Sequence, residues 1–181
     1  MLPSRSRVVF SQSQDFARCV RQRTLGTTGL QVSEVGFGAW AIGGQQPAAR
    51  RSYGPTDDRE SLAALETAFE LGGNFVDTAD AYGVGHSERL IGKFLRGKRD
   101  RVIVATKFGH FPFSEPGERT LAEANVRRCL EASLRRLDTG YIDLYQCHEC
   151  TLASARKHEL AATMEKLQAD LTGMVEPGQK R

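Results

Sequence analysis

With 181 residues, 40% of them hydrophobic, and a formal net charge of +3, the chain has the make-up of one globular domain, which excludes wholesale disorder. The positive charge is local: residues 1 to 23 carry five Arg and one Asp, leaving the remainder of the chain near neutrality. No run approaches the roughly 20 apolar residues that cross a bilayer, and none interleaves aromatic with basic residues, so neither a membrane nor a nucleic acid is an expected partner.

Residues 1 to 22 form a basic leader with Arg5, Arg7, Arg18 and Arg21 among serines, the composition of a disordered arm and, alternatively, of an organellar transit peptide. Four cysteines, at 19, 129, 147 and 150, are too irregular for a disulfide scaffold. They suit reduced thiols, so the expected setting is the cytoplasm.

The folded part is expected over residues 23 to 171. Arg23-Thr24-Leu25 and Leu30-Gln31-Val32 flank Gly26-Thr27-Thr28-Gly29 and read as a hairpin. From Val35 onward, short apolar runs alternate with amphipathic stretches, the pattern of βα units and a parallel sheet. The run Val35 to Trp40 precedes a helix opened by Asp57 with Glu60 three residues on, and Leu62, Leu65 and Phe69 mark its buried face. Asn74-Phe75-Val76 ends in Asp77 and feeds a helix from about Ser87, carrying Leu90, Ile91, Phe94 and Leu95, that Gly97 terminates.

Val102 to Thr106 forms the next strand, ending in Lys107, and Thr120-x-x-Glu123 opens a helix buried through Val126, Leu130, Leu134 and Leu137. Arg127-Arg128 and Arg135-Arg136 read as its solvated side. The strand Ile142 to Gln146 leads to His148, and Leu160, Met164, Leu167 and Leu171 describe a final amphipathic helix. Residues 172 to 181 form an irregular tail. Four βα units are half the eight of a closed α/β barrel, so a partial (β/α)8 TIM barrel is the expected fold.

Asp77, Tyr82, Lys107 and His148 lie at or just past strand C-termini, where such barrels keep their chemistry. Reduction of a carbonyl by hydride needs a proton donor at the oxygen, and Tyr82 is suited to the task. A phenol ordinarily ionises near about 10, and a lysine ammonium such as that of Lys107 beside it makes it a better acid. Asp77 can balance Lys107, and a neutral His148 can orient the carbonyl oxygen.

Phe75-Val76-Asp77-Thr78-Ala79-Asp80-Ala81-Tyr82-Gly83 with Gly85-His86-Ser87-Glu88 resembles the signature segment of the aldo-keto reductases. Ala105-Thr106-Lys107-Phe108-Gly109, Ser133-Leu134-Arg135-Arg136-Leu137 and Tyr141 to His148 are similar to further family segments, as are Leu25 to Ser33 and Gly36 to Trp40. The resemblance implies a (β/α)8 barrel using NADPH on aldehydes or ketones. It assigns Tyr82 as acid, Lys107 and Asp77 as its modulators and His148 as orienter, and places Gly38, Ala39, Trp40 and Asp77 beside the cofactor. The alternative expectation is a non-catalytic half barrel that pairs with itself or a relative through exposed sheet edges.

Three competing motifs weigh less. Gly36-Phe37-Gly38-Ala39-Trp40-Ala41 matches a dinucleotide fingerprint, but Gly43-Gly44-Gln45-Gln46-Pro47 stands where the phosphate-binding helix would begin. Cys147-His148-Glu149-Cys150 has the spacing of half a zinc site without a second half, and as a redox pair it is expected to straddle a strand end without opening a helix. Phe108-Gly109-His110-Phe111-Pro112-Phe113 can line an apolar substrate or cover its own loop.

Overall fold

The computed structural model describes residues 20–46, 52–110 and 121–174; most of the basic leader, Thr120, and the phenylalanines at 111 and 113 lie outside them. A hairpin of β1 (Gln22–Thr24) and β2 (Gln31–Ser33) pairs antiparallel with Arg23 opposite Val32. It is tied to the main body by Asn74, whose Oδ1 accepts from the Ser33 amide at 2.7 Å and whose Nδ2 donates to the Gln31 carbonyl at 2.8 Å.

The main sheet holds β3 (Phe37–Gly38), β4 (Phe75–Asp77), β5 (Ile103–Phe108) and β6 (Leu144–Cys147), all parallel and adjacent in chain order. Helices α1 (Asp58–Glu70), α2 (His86–Phe94) and α3 (Glu123–Leu137) alternate with these strands, and α4 (Leu152–Lys157) and α5 (Leu160–Met174) follow. This is a partial α/β barrel, as the strand and helix periodicities imply. Among the described residues no helix is long and apolar enough to cross a membrane.

Local chemistry explains the helix starts. Asp57 caps α1, its Oδ1 accepting from the amides of Arg59 at 2.8 Å and Glu60 at 3.0 Å. The α3 start differs from expectation: Ala122 is its N-cap, with extended backbone and no side-chain cap. The short α4 was not foreseen. Its cap, Thr151, accepts from the Ser154 amide at 3.0 Å, and six residues carry too weak a periodicity to read.

Because side chains alternate along a strand, each apolar run serves two layers. Leu65, Leu90, Ile91, Phe94, Val102, Val104 and Leu137 form one buried cluster. Phe108, Leu121, Val126, Leu130, Leu160 and Leu167 form a second between the C-terminal strands and helices α3 and α5. The run Val35 to Trp40 contributes a strand of only two residues, with Val35 and Trp40 exposed.

Some of the polar groups buried between the layers are paired. Glu88, fully buried on α2, accepts from Thr106 Oγ1 on β5 at 2.6 Å and from Arg136 Nε on α3 at 2.5 Å. Arg136 therefore does not belong to a solvated helix face; Glu88 draws it inward. At the opposite end of the sheet Arg99 bonds Asp143 Oδ2 at 2.8 Å and the carbonyls of Val102 and Tyr141, fixing β5 against β6.

Removing one partner of a buried ion pair strands the other charge. Glu88→Ala is expected to cost roughly 3–5 kcal/mol in denaturant unfolding, and a loss below about 1 kcal/mol would refute this account of the Glu88 contact.

Candidate active site

The Ala79–Gly85 loop, between β4 and α2, carries Tyr82, and its shape is set by a backbone approach. A Cβ added to Gly83 would meet the Gly43 carbonyl oxygen at 1.9 Å, and Gly83 has φ +57, so both space and conformation call for glycine. Behind the loop, Ser87 donates to the Ala39 carbonyl at 2.8 Å and lies 2.9 Å from Thr78 Oγ1. The Asp80 amide donates to the Lys107 carbonyl at 3.1 Å, so the loop is held to both neighbouring strands.

All four candidate residues come together at this rim. Lys107, at the end of β5, places Nζ 2.7 Å from Asp77 Oδ1 and 2.8 Å from the Thr78 carbonyl oxygen. The same ammonium lies 5.3 Å from the centre of the Tyr82 ring. The His148 ring meets Tyr82 edge-on, centroids 5.7 Å apart at 81°. Lys107 is 13% exposed and Asp77 39%, so the cation is largely removed from water while its counter-charge remains partly hydrated.

His148 follows β6, and its amide continues the ladder by donating to the Phe108 carbonyl at 2.7 Å. Burial first, then the positive potential of Lys107 and the neighbouring His110, holds its pKa below 6.5. It is therefore neutral at neutral pH. Its Nδ1 is buried and meets no hydrogen-bond partner among the described residues.

The nucleotide-side candidates sit at the end of β3. Gly38 is exposed, with open space where a Cβ would stand, and Ala39 is buried, its amide donating to the Asp77 carbonyl at 2.9 Å. Trp40 is exposed and lies 6.2 Å from Tyr82, ring centre to ring centre. After Trp40 comes a single 3-10 turn, Ala41–Gly43, and among the described residues no helix directly follows it on which a dinucleotide fingerprint could seat a phosphate.

Among the neighbours, Tyr53 and Asp80 were given no part from the sequence, whereas His110 belongs to the segment read as lining an apolar substrate or covering its own loop. Tyr53 packs edge-on against Trp40 at 4.7 Å. His110 lies 5.2 Å from His148, ring to ring, with Nδ1 3.4 Å from Glu149 Oε2. Asp80 is fully buried, and neither carboxylate oxygen makes a hydrogen bond of good geometry among the described residues. Burial, and then Glu88, pushes Asp80 up to about 7, with Arg136, the Ala81 amide and Arg128 offsetting this only in part. The polar pair Ser87-Glu88, at the start of an otherwise apolar inward face, was the available signal for this buried network.

The model for the Aldo/keto reductase family matches residues 34–176. The chain belongs to the aldo/keto reductase family. Aldo-keto reductase YhdN of Bacillus subtilis is 40% identical over 127 residues, spanning 69% of this chain and 37% of that protein. L-galactose dehydrogenase of Arabidopsis thaliana is 38% identical over 140 residues, spanning 75% of this chain and 40% of that protein. Among solved structures, the holo form of aldo-keto reductase AKR11C1 from Bacillus halodurans superposes with a TM-score of 0.69 at 34% identity, covering 83% of this chain and 47% of that one. Glycerol dehydrogenase AKR11B4 of Gluconobacter oxydans gives a TM-score of 0.63 at 33% identity, with 83% and 45% covered. The chain thus spans less than half the length of these two curated relatives.

Asp80 gives the site a pH signature. Its folded value of about 7 lies above its ordinary 3.8, so the folded chain holds this proton more tightly than the unfolded chain does. That contribution to stability is complete below 3.8, is lost as pH rises toward about 7, and does not change further beyond it. Asp80→Asn is expected to flatten the fall, gaining at most roughly 4 kcal/mol at pH 8 relative to pH 4. Parallel melting curves for the two proteins across that range would contradict the assignment.

Proposed function

We propose that this chain supplies the acid-base machinery of an NADPH-dependent reductase acting on aldehydes or ketones. The observation that carries the reading is the position of the Lys107 ammonium, bonded to Asp77 and set over the Tyr82 ring, with His148 edge-on to the same ring. In this reading the Tyr82 hydroxyl donates its proton to the substrate oxygen as the carbonyl carbon is reduced. Lys107 stabilises the phenolate left behind, and Asp77 keeps the ammonium in place. Neutral His148 donates a hydrogen bond that orients the carbonyl.

The open space over Gly38 and the exposed Trp40 face fit the nicotinamide end of a cofactor, with Ala39 and Asp77 at its border. A bound nicotinamide would supply the hydride. Family membership and the cofactor-bound state of the AKR11C1 neighbour support the choice of cofactor class. NADPH over NADH, and a small carbonyl substrate, follow the family resemblance.

A second reading is a half barrel that acts by association with itself. Among the described residues β3 and β6 are the edges of the parallel sheet, and open edges favour pairing.

Purified chain, NADPH and a generic aldehyde decide between them. The expected result is an aldehyde-dependent fall in NADPH absorbance, reduced roughly 10²- to 10⁴-fold in kcat/KM by Tyr82→Phe. Since the imidazole of His148 is held neutral to below pH 6.5, the acid limb of the rate should also lie below that value. A chain that neither binds NADPH nor turns over, and that sizes as a dimer or larger, supports the second reading and sinks the first.

A further inference from the structure

The His148 imidazole meets two rings. Tyr82 approaches it edge-on from the loop after β4, and the His110 ring lies 5.2 Å away, tilted by 43°. The chain brings His110 there in two steps. The His148 amide donates to the Phe108 carbonyl at 2.7 Å, which sets the residue after β6 beside the end of β5. Gly109 then takes φ +97, which breaks the alternation that sends Thr106 and Phe108 toward the helices, and His110 turns to the rim instead.

Glu149 completes the arrangement. It follows His148 directly, and its Oε2 lies 3.4 Å from His110 Nδ1. With side chains 40% and 70% exposed, His110 and Glu149 contribute little to stability as an ion pair. Their effect falls on His148. Its Nδ1 is buried and makes no hydrogen bond among the described residues, so that nitrogen does not fix the angle of the ring and contact with the neighbouring rings does. The titratable groups around it are Asp77 of β4, Tyr82 of the following loop, Lys107 of β5, His110 of the turn after β5, and Cys147, Glu149 and Cys150 of its own segment. Lys107 and His110 disfavour a proton on the imidazole, and Glu149 and Asp77 favour one.

We propose that His110 is a positioning residue for His148: its ring holds the His148 imidazole toward Tyr82, and when itself protonated beside Glu149 it keeps a second proton off that imidazole. The proposal rests on the reading of His148 as the donor that orients a carbonyl oxygen. Its test reads the imidazole and not turnover, so the two fail separately.

The whole chain has four histidines, at 86, 110, 148 and 158, so their ring resonances are assigned by single substitutions and followed against pH by nuclear magnetic resonance. In the wild type, cross-relaxation is expected from the His148 ring to both His110 and Tyr82, with His148 titrating below 6.5. His110→Phe keeps a ring and removes the charge. The His148 midpoint is then expected to rise by about 0.3–1 pH unit, roughly a two- to tenfold gain in proton affinity, with the Tyr82 cross-peak retained. His110→Ala removes ring and charge together, and the rise should be joined by a weakened Tyr82 cross-peak. His86→Gln alters an imidazole that pairs with Asp58, and it should leave the His148 midpoint in place. In a chain that turns over, the acid limb of kcat/KM moves up with the His148 midpoint in His110→Phe.

A His148 midpoint unmoved by His110→Phe overturns the electrostatic role, and an undiminished Tyr82 cross-peak in His110→Ala overturns the positioning. Absence of cross-relaxation between His110 and His148 in the wild type overturns both, whether or not either variant folds.

Discussion

A carboxylate without access to water, that of Glu88, is the constraint on which the rim of this partial barrel depends. It binds Thr106 on the central strand β5 and Arg136 on α3, from the first turn of α2. Three elements are thereby held by one group, and the geometry is obligatory because an unpaired charge at that depth is costly. The preceding residue, Ser87, turns to the other side and bonds the Ala39 carbonyl beside β3. Two successive side chains at the start of α2 thus tie it to strands on both sides. Tyr82 sits on the loop that enters this helix, so its position follows from theirs.

Alternation along the strands then decides what faces what. On β5, Thr106 and Phe108 point toward the helices, where they meet Glu88 and Tyr145, and Lys107 between them points to the opposite face. On β6 and just beyond it, Tyr145 and Cys147 join the helix-side cluster while His148 reaches Tyr82. A slip of one residue in either strand would exchange the two sets. The apolar packing of Phe108 and Tyr145, ring centres 5.0 Å apart, therefore fixes which way Lys107 and His148 project.

This explains what was legible in the sequence. Strand ends were readable because apolar runs stop at a charged or polar residue, and Asp77, Lys107 and His148 all stand at such stops. Long helices were readable from their spacing, as with Leu160, Met164 and Leu167 of α5. Arg136 was not, because it adjoins the exposed Arg135 in the sequence and it is contact with Glu88, 48 residues away, that draws it inward. Nor was the setting of Asp80, which lies in the signature segment yet owes its raised pKa to burial and to Glu88. Local pattern reports the period of an element; it carries no information about which polar side chain will be covered by another element.

The charges at the rim are consistent with a single compensated cation. Two of the three donors of Lys107 are committed, to Asp77 and to the Thr78 carbonyl, which fixes the ammonium rather than leaving it to rotate. A second positive charge on His148 would face that ammonium and His110 in a partly buried setting, opposed among the described residues by Glu149 and Asp77. Burial and charge act in the same direction, so the imidazole is kept neutral by the site as a whole. A neutral ring can donate one hydrogen bond without carrying charge toward Lys107, whereas an imidazolium would compete with Lys107 for Asp77 and weaken the contact that holds the ammonium over Tyr82.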